Sequence, residues 1–154
     1  DEGKNVPGMA ATWSVPGEDQ AWRSKIGRDW GFKRANLTLQ TGYIQLGGKL
    51  SVTGIPYKKY DVYVYIGADG DQGSGSVTIS SPQGGTDPTA TRYYWKRWLD
   101  GLFVVSEAKS LEETKGSNCV VFQGNTAKDF NLEWAGNLKD GWTGVSGVQI
   151  IERQ

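Results

Sequence analysis

The sequence predicts an all-β fold, and more specifically one β-sandwich domain that spans residues 1–154. Glycine-rich breaks recur roughly every ten to fifteen residues, a spacing of turn signals that is typical of sandwiches and barrels. The runs between these breaks are short and rich in Val, Ile, Tyr, Trp and Thr. No run approaches the roughly 20 consecutive apolar residues that a membrane-spanning helix needs.

The clearest predicted strand is 60–66, where Val62, Val64 and Ile66 alternate with polar and aromatic residues. Because successive side chains of a strand point to opposite faces, these three residues are expected to face the core. The same criteria predict further strands, which are 9–15, 43–52, 76–80, 92–98, 102–105, 118–123, 129–135 and 147–152.

The connections are predicted from glycine, proline and polar residues. The glycine-rich segment 67–75 is expected to be a loop that returns the chain as a hairpin into strand 76–80. Segment 81–91 contains two prolines and two glycines and is expected to be a long loop. The short polar segment 107–115 is the one predicted helix.

Composition excludes several classes of site. Lys and Arg number 17, as do Asp and Glu, so the formal net charge is zero. A nucleic-acid binder or an anionic-membrane binder needs a basic excess, so neither partner is expected. The chain has no histidine, which excludes histidine-based triads, metal sites and pH switches. Cys119 is the only cysteine, so neither an internal disulfide nor a cysteine-rich zinc site is expected.

Strand alternation separates the seven tryptophans into two groups. Trp13 and Trp134 each share a strand face with apolar neighbours, so both are predicted to be core residues. The other five lie in polar or irregular surroundings and form the pool of candidate ligand-binding residues, which is Trp22, Trp30, Trp95, Trp98 and Trp142. Weaker candidates, chosen as hydrogen-bonding groups, are Lys96, Arg97 and Gln149.

Some of these tryptophans have alternative roles that the sequence leaves open. Trp95 and Trp98 are three residues apart in strand 92–98, so a regular strand places them on opposite faces. One of the two rings then points outward, and the sequence does not decide which. Trp22 and Trp30 have a second possible role, in which each ring folds back as a lid on the core.

Flat aromatic rings beside hydrogen-bonding side chains suit pyranose sugars as ligands. A sugar ring has an apolar face of C–H groups that an indole can cover and a rim of hydroxyls that polar side chains can bind. Covering about a third of an indole contributes roughly 1–2 kcal/mol per ring. A few such rings predict micromolar to millimolar binding, which suffices for a module that is linked to an enzyme acting on a polymer.

Four segments resemble β-sandwich domains in large extracellular proteins of environmental bacteria. They are Gly-Ile-Pro-Tyr at 54–57, Tyr-Asp-Val-Tyr-Val-Tyr at 60–65, Asn-Cys-Val-Val-Phe at 118–122 and Gly-Val-Ser-Gly-Val-Gln-Ile-Ile at 144–151. With its aromatic loops, the chain resembles carbohydrate-binding modules of family 81, a β-glucan-binding group associated with endoglucanases.

The resemblance implies a jelly-roll or galactose-binding-like sandwich that binds β-1,4 and mixed-linkage β-glucans, including xyloglucan. It also implies a secreted protein that brings a glycoside hydrolase domain of the same full-length chain to plant cell wall. A non-catalytic role without a cofactor is therefore the expectation.

Two other functions stay open. A structural or adhesion domain of a bacterial surface protein would have the same fold but a broad apolar patch or an open sheet edge. A small glycoside hydrolase would need two carboxyl groups about 5–5.5 Å or about 6.5–9.5 Å apart, and Asp61 with Glu133 is the candidate pair. Calcium is conceivable at Asp69 and Asp71, although Ser80 replaces the glutamate of an EF-hand and an ordinary acidic turn explains the same residues.

Overall fold

A computed structural model confirms the predicted fold class, since the chain forms two β-sheets that pack against each other around one core. The structure describes residues 6–15, 21–22, 43–45, 47–68, 72–82, 87–97, 102–137 and 143–154. The five-stranded sheet contains, in spatial order, β1 (Ala10–Ser14), β4 (Gly47–Thr53), β10 (Phe130–Asn137), β6 (Gln72–Ser80) and β7 (Ala90–Arg97). The six-stranded sheet contains β2 (Ala21–Trp22), β3 (Tyr43–Gln45), β11 (Thr143–Glu152), β5 (Tyr60–Ala68), β9 (Cys119–Asn125) and β8 (Val105–Ser106).

The core follows the predicted alternation closely. Val62, Val64 and Ile66 of β5 are fully buried, and they face the apolar side chains of β10 in the other sheet. Burial of each such side chain contributes about 1.5–3 kcal/mol, so every central strand is committed to one inward face. The other face of each such strand points outward, and the residues on that face are the ones available to form a binding site.

Trp134 is a core residue, as predicted, whereas Trp13 is not fully buried. Trp134 is 4% exposed, its indole N–H donates to the Ile44 carbonyl oxygen at 3.1 Å, and glycine at position 48 leaves room for its ring. Trp13 faces the same core and packs edge-on against Trp134 with ring centroids 5.9 Å apart, yet it is 45% exposed. The prediction that Trp13 is a core residue is wrong because β1 is an edge strand that overhangs the core.

Two predictions about strand pairing are wrong. Residues 43–52 form not one strand but two, with β3 in the six-stranded sheet and β4 in the five-stranded sheet. β5 and β6 do not form a hairpin, because β5 pairs with β11 and β9 while β6 pairs with β10 and β7. Alternation specifies which face a strand buries, but it does not specify which strand becomes its neighbour.

The predicted helix at 107–115 is a turn-rich connection from β8 to β9. Within it, the Thr114 amide donates to the Leu111 carbonyl oxygen at 3.1 Å, and the Lys109 amide donates to the Glu113 carboxylate at 2.8 Å. The segment has no apolar stripe that a helix could bury, and its first residues pair with β7 instead.

The predicted loops are also shorter than expected, because β5, β6 and β7 extend into 67–75 and 81–91.

Two glycines with positive φ provide a matched test of the turn after β4. Gly54 (φ 72°) and Gly8 (φ 82°) both adopt left-handed backbone, but a Cβ atom at Gly54 would collide with the Gly8 carbonyl oxygen, whereas one at Gly8 would meet nothing. We expect Gly8→Ala to cost about 1 kcal/mol of backbone strain and Gly54→Ala to cost about 1–3 kcal/mol more. Urea unfolding of both variants measures the difference, and equal losses would contradict the collision.

Candidate functional site

Strand β7 resolves which aromatic residues point outward. Tyr94 and Lys96 lie on its core face and are 0% and 1% exposed, whereas Tyr93 is half-buried and Trp95 is 37% exposed on the outward face. The structure therefore places Trp95 on the surface of the five-stranded sheet, beside Tyr93 and separated from the core by the sheet itself.

Backbone hydrogen bonds to segment 106–117 hold this part of β7 in place. The Tyr93 amide donates to the Ala108 carbonyl oxygen at 2.9 Å, and the Ser106 hydroxyl donates to the Tyr93 carbonyl oxygen at 2.7 Å. The Ser117 amide donates to the Trp95 carbonyl oxygen at 2.8 Å, and the Trp95 amide donates to the Ser117 hydroxyl at 3.3 Å. Because both main-chain groups of each aromatic residue are bonded on this edge, a ligand would meet a backbone that is already ordered.

Small polar residues lie beside the two rings. In the sheet register, Ser74 of β6 lies opposite Trp95 and Asn137 of β10 lies opposite Ser74, while Ser76 lies opposite Tyr93. The Asn137 amide nitrogen donates to the Ser74 hydroxyl oxygen at 3.3 Å. Ser74 is 2% exposed, whereas Ser76 and Asn137 are half-buried, so the latter two are the polar groups that a ligand could reach beside the rings.

The rest of this outward face is also polar and internally paired. Three cross-strand pairs lie along it, namely Thr78–Thr91 at 2.9 Å, Ser51–Asn131 at 2.7 Å and the ion pair Lys49–Glu133 at 3.2 Å. Both partners of the ion pair are exposed, so this pair contributes at most about 1 kcal/mol to stability. A face of hydroxyls and amides with two large rings at one edge is suited to an uncharged, hydroxyl-rich ligand.

The remaining predicted binding residues are not all brought to this face. Lys96 lies behind the sheet on the core side, so it does not belong to the surface that carries Trp95. The backbone of Arg97 continues β7, and that of Trp22 lies in β2 of the other sheet. The predicted residues outside the part of the chain that the structure describes are Trp30, Trp98 and Trp142, together with the side chains of Trp22 and Arg97.

Gln149 lies on the opposite side of the sandwich. It is exposed on β11 and its Oε1 atom accepts a hydrogen bond from the Tyr65 hydroxyl at 2.8 Å. The Tyr65 ring packs against Phe103 with centroids 4.7 Å apart, and Tyr63 precedes it on the same outward face, as alternation predicts. Because the core separates the two outer faces, Gln149 and Trp95 cannot contact the same short ligand.

Phe103 is an aromatic residue whose position the sequence does not predict. The sequence predicts only that Phe103 lies in a strand at 102–105, whereas the observed strand β8 begins at Val105. The run Leu-Phe-Val-Val has no alternation, so nothing local shows that Phe103 covers Tyr65 while Leu102 and Val104 stay exposed. Only the cross-chain contact reveals this.

The proposed carboxylate pair does not form one site. Both oxygens of Asp61 have partners, since Oδ1 accepts from the Gly124 amide at 2.7 Å and Oδ2 lies 3.0 Å from Arg153 Nε. Asp61 is on the outward side of the six-stranded sheet, whereas Glu133 is on the outward side of the five-stranded sheet. Two carboxyl groups on opposite faces of a sandwich cannot flank one glycosidic bond.

An open cavity of about 490 Å³ lies at the other end of the sandwich from Trp95. The loop after β4 and the loop before β10 line it, and its largest side chains are Tyr57, Lys58 and Lys128. None of the residues predicted to bind ligand contributes to this cavity.

Metal and membrane features can be stated for the described residues only. They contain no group of three or more His, Cys, Asp or Glu side chains arranged to hold a metal ion. Asp69 and Asp71, the calcium candidates, lie outside them. No helix within the described ranges has the length and apolar character to cross a membrane.

The fold and the site together define a β-sandwich with an outward-facing aromatic pair, the half-buried Tyr93 and the exposed Trp95, on one polar sheet face. No protein-family model matches the chain, and no curated protein matches its sequence.

Alkaline pH provides a test of the burial of Tyr94 behind the site. Burial raises the pKa of Tyr94 to about 12, with a smaller opposing effect of the Thr143 hydroxyl. The unfolded phenol ionises near pH 10, so this contribution to stability is complete below pH 10 and is lost as the pH rises towards 12. When the pH is raised from 8 to 11, the free energy of unfolding of the wild type should fall by about 1 kcal/mol more than that of Tyr94→Phe, as measured by urea unfolding. An identical loss in both proteins would contradict the assignment.

Stability should distinguish Trp95 from Trp134. Trp134→Ala removes a buried ring and a hydrogen bond, so we expect it to cost about 3–5 kcal/mol. Trp95→Ala removes an outward ring and leaves the backbone bonds of β7 intact, so a cost of about 1 kcal/mol or less is expected. Thermal or urea unfolding compares the two, and similar costs would show that Trp95 packs as a structural residue.

Proposed function

We propose that this protein is a non-catalytic carbohydrate-binding module that recognises β-1,4 and mixed-linkage β-glucans, xyloglucan included. The observation that carries the proposal is the aromatic pair of Tyr93 and Trp95 on the outward face of the five-stranded sheet, beside Ser74, Ser76 and Asn137. An indole that is 37% exposed on an ordered strand offers an apolar surface with little conformational entropy left to lose. The half-buried Ser76 hydroxyl and Asn137 amide can bind the hydroxyl rim of a sugar ring, whereas Ser74 is buried.

The orientation of the ligand follows from the strand geometry. Tyr93 and Trp95 are two residues apart on β7, so their Cα atoms are about 6.6–6.8 Å apart along the strand. A polysaccharide that stacks on both rings therefore lies along β7. Ser76 of β6, which lies opposite Tyr93, is then on one flank of the polymer, where its half-buried hydroxyl can bind a sugar hydroxyl.

The expected affinity is low. Two stacked rings contribute roughly 2–4 kcal/mol before the cost of association is subtracted, so dissociation constants near millimolar are expected for a short oligosaccharide. Such affinity is adequate for a module in a secreted chain that also carries a glycoside hydrolase domain, because linkage raises the local concentration of enzyme on plant cell wall. That arrangement is part of the proposal and rests on the resemblance to family 81.

A second candidate function is a structural or adhesion domain that binds protein. The observation that favours it is a group of exposed apolar side chains beside β8, where Leu102 is 66% exposed and Val104 and Val105 are also exposed. Such a group is typical of protein contacts rather than of sugar stacking. This group adjoins β9 of the six-stranded sheet and, through Ser106, the backbone of Tyr93. Leu102→Ser and Val104→Ser leave both rings of the aromatic pair in place, so these variants can separate the two functions.

Native affinity electrophoresis tests the proposal through gels that contain xyloglucan, mixed-linkage β-glucan, xylan, galactomannan or pectin. We expect retardation in the two β-glucan gels and a loss of most of it in Trp95→Ala and Tyr93→Ala. Tyr63→Ala is the matched control, because Tyr63 is a half-buried tyrosine on the opposite outward face.

Migration of the wild type at the same rate in every gel would overturn the proposed function. Retardation that persists in both Trp95→Ala and Tyr93→Ala would overturn this location of the site. Unfolding curves of all three variants ensure that the comparison is made between folded proteins.

A further inference from the structure

The two edges of the five-stranded sheet differ. The β7 edge is closed by backbone and side-chain hydrogen bonds to segment 106–117, as described above. At the other edge, β1 pairs with β4 and with no other described strand, and all five of its residues are exposed. Natural edge strands are protected by lysine, proline, bulges or covering segments. Strand β1 has the sequence Ala-Ala-Thr-Trp-Ser, so it contains neither a charge nor a proline, and its register with β4 is uninterrupted.

We propose that β1 pairs with β1 of a second copy of this chain, antiparallel and about a two-fold axis at Thr12. The two five-stranded sheets then form one continuous ten-stranded sheet. Isologous contacts of this kind are the commonest route to a soluble homodimer. Main-chain pairing at a sheet edge supplies the hydrogen bonds that the exposed groups of β1 otherwise make with water.

The side-chain pattern selects this register. Directly opposed residues of an antiparallel pair point to the same face of the sheet. If both cores are to lie on the same side of a continuous sheet, the two-fold axis must therefore pass between two copies of the same residue. An axis at Thr12 pairs all five residues and places Ala11 opposite Trp13 of the second copy. An axis at Trp13 would oppose two indoles directly, and an axis at Ala11 would leave Ser14 beyond the paired strand.

The fit of Trp13 to Ala11 supports a second copy as the occupant. Trp13 is 45% exposed on the core side of the sheet, and it packs edge-on against Trp134 with its remaining surface open. The small Ala11 of the second copy leaves space for that exposed surface, and the symmetric contact occurs twice. The net charge of zero adds no long-range repulsion between copies. Since a five-residue edge is a small interface, we expect association at micromolar or higher concentration.

One consequence of the dimer rests on the proposed function. The two Trp95 residues would lie on the same outward face at the two ends of the ten-stranded sheet, nine strand spacings or about 43 Å apart before twist. A dimer could therefore bind two points of one polysaccharide or two neighbouring chains, which raises avidity without any new contact to sugar.

Cysteine cross-linking tests the register, because the natural Cys119 is buried, 1% exposed, and does not compete. In Thr12→Cys the new thiols of two copies face each other across the axis, so copper–phenanthroline oxidation should give a disulfide-linked dimer. Thr53→Cys is the matched control, since Thr53 is equally an exposed threonine but lies on β4. Ala10→Cys and Ser14→Cys should each cross-link poorly alone and well when mixed.

Sedimentation velocity provides the second measurement. We expect the wild type to show a concentration-dependent dimer at 10–500 µM (on the order of the affinity expected for a small interface). Thr12→Lys opposes two ammonium groups at the axis and should weaken association at least about tenfold, whereas Thr53→Lys adds the same charge and should not.

A wild type that stays monomeric over that range, or a Thr12→Cys variant that cross-links no faster than Thr53→Cys, would overturn the dimer. These outcomes are independent of the sugar gels. A monomer that is retarded by β-glucan overturns only the dimer, and a dimer that no gel retards overturns only the proposed function.

Discussion

The hydrogen bonds between β7 and segment 106–117 are the interaction on which the candidate site depends. They close one edge of the five-stranded sheet, and they do so at the two residues whose rings point outward, Tyr93 and Trp95. Without them the aromatic pair would lie on a free edge strand, where backbone motion would add an entropic cost to every ligand contact. The connection between β8 and β9, much of which the sequence predicts to be a helix, therefore supports the site, because Ser106, Ala108 and Ser117 bond to the backbone of β7.

Strand alternation explains most of what the sequence could predict. The buried faces of β5 and β10 and the outward direction of Tyr63 and Glu133 follow from period two, because each side chain is committed by its own position. Alternation also implied that Trp95 and Lys96 lie on opposite faces, but not which face meets the core. Tyr94 determines which face meets the core, because its ring is fully buried and Lys96 lies on the same face of the strand.

What the sequence could not predict depends on pairing across the chain. The separation of β3 from β4, and of β5 from β6, is decided by which distant strand fills each position in a sheet. The exposure of Trp13 is likewise set by the position of β1 at the edge of its sheet. Its apolar neighbours in the sequence would be the same in a central strand, so they do not predict this exposure. Phe103 gives a third instance, because its contact with Tyr65 joins segments with no shared local pattern.

The separation of the two faces of β7 makes stability and recognition independent properties of neighbouring residues. Tyr94 contributes to the core, whereas Trp95, the next residue, contributes its ring to the surface. Changes on the outward face can therefore alter ligand preference at small cost to the fold, since they remove contacts with solvent and with short polar neighbours. A sandwich whose core is set by one face of each strand leaves the other face free to vary, and for this reason the fold fixes where a ligand can bind without fixing which ligand it is.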